Sequence, residues 1–367
     1  MFSAWYISQQ PELDPGLSLS LLFGLIFGAI LQRSRFCFYC VSRDFLSERK
    51  VDGLLGILLA LAVGTLGYHA IFGAFLPEAT PGRLPPGAHI GPVSWVLLAG
   101  ALMFGFGMAL AKSCVSAVLY RLGEGHFAGL VVLAGVVPGF VLGFLSWNPL
   151  YLWQIQSAPV VWLPAHFGYG GSLLIQLLAL AVLAAVLLHF GRRDEQSAAA
   201  SSNLPSLLFA RRWPTYIGGI LIAMLGTISF LRLSPLGVTA EIGSVARTLG
   251  SQLSWFPERL EGLDSFRGCA TVIKETLLSR NGVFIAALIV GAWAAALPAG
   301  QFKPALPAWR ELPRLFVGGV LMGWGGMLAL GCTVGTLLSG IMAAALSGWV
   351  FLLFAGLGLW LGWRSWR

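Results

Sequence analysis

The sequence predicts an all-α integral membrane protein with nine transmembrane helices plus four re-entrant half-helices in two inverted repeats. Of the 367 residues, 57% are hydrophobic and only 10% are charged, with a mean hydropathy of +0.80. A soluble domain carries about 25% charged residues. Apolar runs recur along the whole chain, each near the ~20 residues that a helix needs to cross a bilayer. Two of these runs also resemble each other, which indicates a duplicated membrane unit.

Nine apolar stretches are long enough to be spanning helices. They lie at about residues 17–33, 52–72, 92–112, 126–146, 170–190, 214–232, 281–298, 314–330 and 345–363. Weaker apolar segments follow the first, third, sixth and eighth stretches, at residues 34–45, 113–125, 234–250 and 331–342. Each opens with small, polar or helix-breaking residues and is too short to cross. We therefore predict re-entrant half-helices, whose irregular backbone is tolerated only inside protein or along a cavity.

The basic residues predict the orientation of the chain. Lys and Arg are concentrated in residues 33–50, 191–213 and 299–314, whereas residues 147–168 contain neither. The positive-inside rule then places the N-terminus outside and the C-terminus in the cytoplasm. We expect the membrane to be a bacterial inner membrane. The net charge of +8 arises from these loops, so we expect a lipid bilayer around the chain and no nucleic-acid partner.

The internal repeat is clearest at residues 100–119 and 318–337, which align without a gap at an offset of 218 residues. Seven of the 20 positions are identical, including the pairs Gly100 and Gly318, Gly107 and Gly325, and Cys114 and Cys332. With nine spans the second copy is inverted. We predict a single membrane domain over residues 1–367, with a first repeat at 17–146, a connecting helix at 170–190 and a second inverted repeat at 214–363. Inverted repeats with broken helices are typical of transporters; a duplicated scaffold without transport is the alternative.

Cysteines in the predicted breaks are the strongest candidate functional residues. Cys114 and Cys332 each follow a Gly-rich helix, and Cys37 lies in the first break. A half-helix that starts at such a break directs its positive end there, which suits an anion. A thiol adds a weak S–H donor and a polarizable surface. The alternative is that each cysteine is a small buried hydrophobe. The counterpart of Cys37 in the second copy is Gly237–Thr239, which has no thiol.

Further candidate contacts surround these cysteines. They are Cys269, Gly331, Arg121 and Thr239. Cys269 follows an arginine, which favours the thiolate form, and Arg121 is an intramembrane charge, although snorkelling to the interface explains it equally well. We expect Cys40 to be a packing residue. Five cysteines is an odd number, so free thiols are expected, and neither a metal site nor a cofactor is indicated.

Four motifs carry a resemblance to a known family. They are GLIFGAILQRSRFCF followed by RDF, GFGMALAKSCVSAVLYRLGEG, PLGVT, and GWGGMLALGCTVGTLLSGI. Over roughly residues 17–363 the chain resembles the YeeE/YedE family of sulfur-transport membrane proteins. This resemblance implies nine transmembrane helices with re-entrant helices in an hourglass arrangement. It also implies uptake of thiosulfate past three cysteines, which by motif match are Cys37, Cys114 and Cys332.

The resemblance implies a partner and leaves alternatives open. Family members often work with a small cytoplasmic TusA-like sulfur-carrier protein. Some relatives are tied to selenium metabolism, so a selenium species or sulfite is an alternative substrate. The break at 113–116 reads SCVS where the second copy has GC at 331–332, and the segment around Cys269 is long. We expect a transporter that is not an enzyme; a membrane thiol sulfurtransferase or oxidoreductase using Cys37 and Cys40 is the alternative class.

Overall fold

Helices form the whole framework of the chain. The computed structural model describes residues 16–80, 82–193, 212–257, 259–263, 271, 273–274 and 279–365, and the regular secondary structure within these ranges is helical. Helices occupy the nine predicted spans: α1 (Gly16–Ser34), α3 (Asp52–Phe75), α4 (Trp95–Ala111), α6 (Ala128–Leu150), α7 (Leu163–Phe190), α8 (Thr215–Arg232), α10 (Arg280–Ala296), α11 (Leu312–Leu328) and α13 (Leu346–Ser365). Shorter helices occupy the four weaker segments: α2 (Phe38–Glu48), α5 (Val115–Gly123), α9 (Thr239–Gly250) and α12 (Thr333–Met342).

The apolar helices make this a multi-pass membrane protein. Within the described residues, seven helical segments are long and apolar enough to cross a bilayer, or eight if α11 and α12 count as one bent span. A ninth span requires α10, an apolar helix of 17 residues. The count of nine therefore stays a prediction. The helix at the fifth predicted span, α7, is longer than expected because it starts at Leu163. It is kinked at Gly168, where φ is 67°.

The short helices α2 and α5 continue the helices that precede them. Gly16–Glu48 forms one apolar segment of 33 residues, and Trp95–Gly123 forms another of 29 residues. Each segment is interrupted a little beyond its middle. Arg35 and Lys112 have φ values of 50° and 53° at these interruptions, so the helix stops for a few residues and then resumes. By length and composition, α2 and α5 therefore each belong to the apolar segment of the preceding helix, and their re-entrant character stays a prediction. Between α11 and α12 the direction changes by 43°.

The short helices end at two different faces of the protein. At what we call the basic face, residues just after α2 and α5 bond to two loops whose sequences are rich in Lys and Arg: Arg192 N–H donates to Arg49 O (2.8 Å) and Lys303 N–H donates to Glu124 O (2.9 Å). At the opposite face, the end of α12 meets the loop before α7, where Leu163 N–H donates to Ala344 O (3.0 Å).

Glycines bring α4 and α11 into backbone contact at the centre. A Cβ added to Gly100 would lie 2.9 Å from Gly325 O, and one added to Gly107 would lie 2.7 Å from Gly318 O. The reciprocal contacts are also close: a Cβ on Gly325 would lie 2.4 Å from Gly100 O, and one on Gly318 would lie 2.9 Å from Gly107 O. Small residues let helix backbones approach closely in a membrane. The two glycine pairs run in opposite directions along the two helices, so α4 and α11 are antiparallel.

The most extensive helix interfaces join one half of the chain to the other. Helix α1 packs on α10 and α3 packs on α8, while α6 packs on α11 and α4 packs on α13. Neither half therefore forms a separate bundle. By contrast, α7 packs mainly on α3 and exposes large apolar side chains along its length, including Leu174 and Leu178. Helix α7 thus lies at the edge of the bundle.

We predict that Gly325→Ala destabilises the protein, because its methyl group would collide with the backbone of α4. Overpacking of this kind costs about 1–3 kcal/mol. Gly356→Ala on α13 is the matched control: nothing lies within 4 Å of its added Cβ, and alanine favours a helix by up to about 1 kcal/mol. Thermal unfolding of the detergent-solubilised protein is the measurement. Equal melting temperatures for the two variants would contradict the packing described here.

Candidate functional site

Three cysteines each stand immediately before a short helix. Cys37, Cys114 and Cys332 are the N-cap residues of α2, α5 and α12, and each has an extended backbone conformation. Their relative exposures are 0%, 0% and 1%. The first turn of each helix has backbone N–H groups without intrahelical partners, and the helix dipole is positive at that end. The three thiols therefore lie where the short helices direct their positive ends into the protein interior.

The first two cysteines are in contact. Cys37 Sγ and Cys114 Sγ are 4.0 Å apart, although the two residues are distant in sequence. Cys114 Sγ is also 3.4 Å from Ser116 Oγ. Cys40 N–H donates to Cys37 Sγ at 3.4 Å, so the Cys37 sulfur caps the first turn of α2. Both interrupted spans of the first half thus meet at their breaks.

The third cysteine, Cys332, stands at the start of α12 in the second half of the chain. The Cys332 side chain lies close to that of Thr239, at the start of α9, and near Cys114. Gly331, just before it, has a φ of 152°, which favours glycine. Helix α12 begins as a π-helix over Thr333–Ser339, and such segments are frequent at functional sites. The structure therefore brings Cys37, Cys114, Cys332 and Thr239 to one interior region, with Gly331 adjoining.

Thr333 is a candidate that sequence reasoning missed. It follows Cys332 directly, is 1% exposed, and its Oγ1 has no hydrogen-bond partner among the described residues. A buried hydroxyl without a partner costs about 1–3 kcal/mol. The sequence signal that could have identified Thr333 is its position directly after the candidate residue Cys332. Thr333 thus offers an unused donor at the start of α12.

Arg121 lies nearer the basic face. Its Nη2 donates to Cys40 Sγ (3.2 Å) and its Nη1 donates to Lys112 O (3.3 Å). It lines a cavity of about 570 Å³ together with Arg35, Lys112, Arg212 and other residues. The structure therefore places Arg121 close to Cys40 rather than among the three buried thiols. Cys269 lies outside the described residues.

The cavity at the basic face has a positive electrostatic environment. His126, in the loop between α5 and α6, lines it. Burial lowers the pKa of His126, and the positive charges of Arg121 and Arg35 lower it further. The arrangement suits a small anion. Among the described residues, His, Cys, Asp and Glu side chains nowhere form a group of three or more that could hold a metal ion.

Comparison with known proteins identifies the family. A family model described as sulphur transport matches residues 33–361. The chain belongs to the sulphur transport family. The family resemblance drawn from the cysteine motifs is therefore confirmed, and the family description indicates a transporter.

Two kinds of curated relative align with this family member. A thiosulfate transporter, TsuA, of Spirochaeta thermophila is 30% identical over 359 residues, which cover 93% of this chain and 96% of that one. The TsuA thiosulfate transporter of Escherichia coli is 24% identical over 373 residues, covering 93% and 92%. The probable transporter YedE of Salmonella typhimurium is 29% identical over 167 residues, covering 46% of this chain and 39% of that one.

The burial pattern predicts which cysteine reacts with a thiol reagent. Cys37, Cys114 and Cys332 are buried, whereas Cys40 is half-buried and lines a cavity at the basic face. In a Cys269→Ser background we expect maleimide to modify Cys40 well before the other three. Mass spectrometry of peptides after timed labelling and unfolding measures each rate. Simultaneous modification of all four thiols in the folded protein would contradict this geometry.

Proposed function

We propose that this chain carries thiosulfate across the membrane into the cytoplasm along a path formed by Cys37, Cys114 and Cys332. The observation that carries the proposal is that three buried thiols stand at the N-caps of short helices, two of them in contact. Two relatives that align over nearly the whole chain are named thiosulfate transporters. Their names support this substrate over a selenium species or sulfite.

The chemistry of the anion explains the donors. A dianion inside a membrane is very costly unless protein groups replace its water. The helix starts supply backbone N–H groups and a favourable dipole. A thiol is a weak donor, so it stabilises the passing ion without holding it, and conduction requires binding that is weak enough to release. The anion is handed from thiol to thiol by transient S–H hydrogen bonds.

The contact between Cys37 and Cys114 closes the path. Their sulfur atoms are 4.0 Å apart, which leaves no room for an ion between them. Passage therefore requires the two thiols to separate, after which each is free to donate to the anion. Thr239 and Gly331 contribute on the other side: the hydroxyl of Thr239 adds a donor beside Cys332, and glycine at 331 lets the backbone approach the ion.

The architecture proposed for this path is a pair of inverted repeats, residues 17–146 and 214–363, joined by the helix at 170–190, with nine spans in all. The glycine contacts support it. Equivalent positions of the two copies pair crosswise, since Gly100 faces Gly325 while Gly107 faces Gly318. Such reciprocal contact is the mark of a twofold axis. Because the two helices are antiparallel, that axis lies in the membrane plane, as inverted repeats require.

The proposed location is a bacterial inner membrane with the N-terminus outside and the C-terminus in the cytoplasm. The basic face, where α2 and α5 end, is then cytoplasmic, in line with the positive-inside rule. A small TusA-like sulfur carrier is the proposed partner at that face, where it would receive the imported sulfur. Cys269, on the external side in this orientation, is proposed as an early contact for the anion.

The central test is growth on thiosulfate. In a cell that lacks its own sulfate and thiosulfate importers, we expect this gene to restore growth with thiosulfate as the only sulfur source. Cys114→Ala and Cys332→Ala should each reduce thiosulfate uptake by about tenfold or more, because a hydrogen bond to a charged group contributes about 1.5–3 kcal/mol. Cys40→Ala should reduce uptake less than either of these variants, since Cys40 lies outside the buried group of thiols.

Other outcomes of these experiments would contradict the proposal or change its substrate. Normal uptake by a Cys114→Ala, Cys332→Ala double variant would refute the thiol path. Loss of function in Cys40→Ala but not in Cys332→Ala would favour a thiol enzyme that uses the Cys37 and Cys40 pair. Failure of the wild type to support growth, with the protein present in the membrane, would redirect the proposal to selenium species, sulfite or a partner that must be supplied.

Thr333 provides a second test of the same path. We expect Thr333→Val to lower thiosulfate uptake several-fold, because it removes a buried hydroxyl that is free to donate to the ion, while keeping the side-chain shape. Thr333→Ser keeps the hydroxyl and should retain most uptake. The measurement is initial uptake of radiolabelled thiosulfate at equal amounts of protein. Normal uptake by Thr333→Val together with loss of uptake in Thr333→Ser would instead indicate that the γ-methyl group of Thr333 is needed and its hydroxyl is not.

A further inference from the structure

Two neighbouring cavities open at the basic face and share part of their walls. One encloses about 570 Å³ and the other about 330 Å³. The side chains that line both are Arg35, Tyr120, Arg121 and Arg212. Three of these four carry a guanidinium group, so the positive charge is concentrated where the two cavities adjoin. Arginine suits oxyanions because its planar fork of N–H donors matches their geometry.

A continuous series of contacts links this wall to the buried thiols. Cys114 Sγ is 4.0 Å from Cys37 Sγ, and Cys37 Sγ accepts from Cys40 N–H at 3.4 Å. The Cys40 thiol, one helical turn further along α2, accepts from Arg121 Nη2 at 3.2 Å. Cys40 lines the smaller cavity, whereas Cys37 and Cys114 are fully buried. An anion that leaves the two buried thiols towards the basic face therefore meets Cys40 and Arg121 next.

Among the described residues, no salt bridge joins Arg35, Arg121 or Arg212 to a carboxylate, although Glu124 lies near enough to Arg121 and Arg35 to interact with their charges. Arg212 Nη1 is buried and has no hydrogen-bond partner within the described part of the chain. Asp44, which lines the smaller cavity, is paired with Arg43 at 2.6 Å. Glu124, which lines the larger one, accepts from Gln32 Nε2 at 3.1 Å. A buried donor without a partner costs free energy until a ligand satisfies it.

We propose that Arg121, Arg212 and Cys40 form a second anion-binding site, between the buried thiols and the basic face, which receives the divalent sulfur oxyanion as it leaves Cys37 and Cys114. The two guanidinium groups bind the oxygen atoms of the anion, and the polarizable Cys40 thiol contacts its terminal sulfur. The site rests on the proposed function for its ligand. It raises the local concentration of the anion at the mouth of the path before release.

Protection of Cys40 from a thiol reagent tests binding directly. With the full chain purified in a Cys269→Ser background, maleimide labelling of Cys40 is timed with and without sodium thiosulfate, and sodium chloride of equal ionic strength is the salt control. We expect thiosulfate to slow the labelling of Cys40 about threefold or more, because an ion that occupies most copies of the site blocks the reagent in those copies. The protection should disappear in Arg121→Gln and weaken in Arg212→Gln.

Two controls make the labelling specific. Arg49→Gln removes the same charge at the end of α2, where Arg49 is exposed and lines neither cavity, and it should keep full protection. A Cys40→Ala variant that also carries Ser47→Cys places an exposed thiol outside both cavities and corrects for maleimide consumed by thiosulfate itself. Thermal unfolding of each arginine variant shows that lost protection does not reflect lost folding.

Uptake into proteoliposomes separates the site from the proposed function. If the wild type accumulates thiosulfate but the anion leaves Cys40 labelling unchanged, the second site is refuted while the transport function stands. If protection persists in Arg121→Gln as in Arg49→Gln, Arg121 does not bind the anion and the site as drawn is refuted. If the wild type accumulates no thiosulfate, the proposed function fails and this site loses its assigned ligand with it. Slower uptake in Arg121→Gln, with partial recovery in Arg121→Lys, supports the site.

Discussion

The free-energy cost of an unpaired backbone group inside a membrane is the constraint on which the rest of this structure depends. A helix that is interrupted at membrane depth leaves N–H and C=O groups that lipid cannot satisfy. Here the interruptions after α1 and α4, and before α12, are enclosed by other helices, and the cysteines at them are almost fully buried. The surrounding helices therefore have to pack closely, and the polar groups at the breaks become available only to what enters the interior.

Close packing in turn explains the glycines. Backbone contact through Gly100, Gly107, Gly318 and Gly325 fixes α4 and α11, the helices that precede Cys114 and Cys332, against each other. Cys114 and Cys332 come directly after the two breaks, so one helix contact places both thiols. The same reasoning accounts for the interfaces that join the halves, because helices of each half pack around the short helices of the other.

Much of this arrangement could be predicted from the sequence, since it depends on local pattern. Apolar runs of sufficient length located the long helices, and small or polar residues after four of them located the short helices. The gapless repeat singled out Cys114 and Cys332. The meeting of Cys37 with Cys114 was not predictable from their positions, because it depends on how two interrupted spans cross.

The environment of Arg212, at the basic face, could not be predicted from the sequence. Arg212 was one of several arginines in a loop, where charge alone indicated orientation. Its Nη1 is buried and has no partner among the described residues, and it lies at a cavity wall shared with α2 and α5, which the sequence pattern does not encode. That α1 and α2 belong to one apolar segment of 33 residues was not predicted either, because a break predicts an interruption but not the angle on its far side.

The choice of residue at the helix starts carries the functional argument furthest. Serine is among the preferred N-cap residues, since its hydroxyl accepts well from backbone N–H groups. This chain uses it in that way: Ser94 caps α4 and Ser279 caps α10, with hydrogen bonds of 3.2 and 3.0 Å. Three of the four short helices start with cysteine instead, a weak acceptor. Capping does not explain that choice, whereas a polarizable, weakly donating group beside the positive end of a helix does, if an anion containing sulfur has to pass and be released.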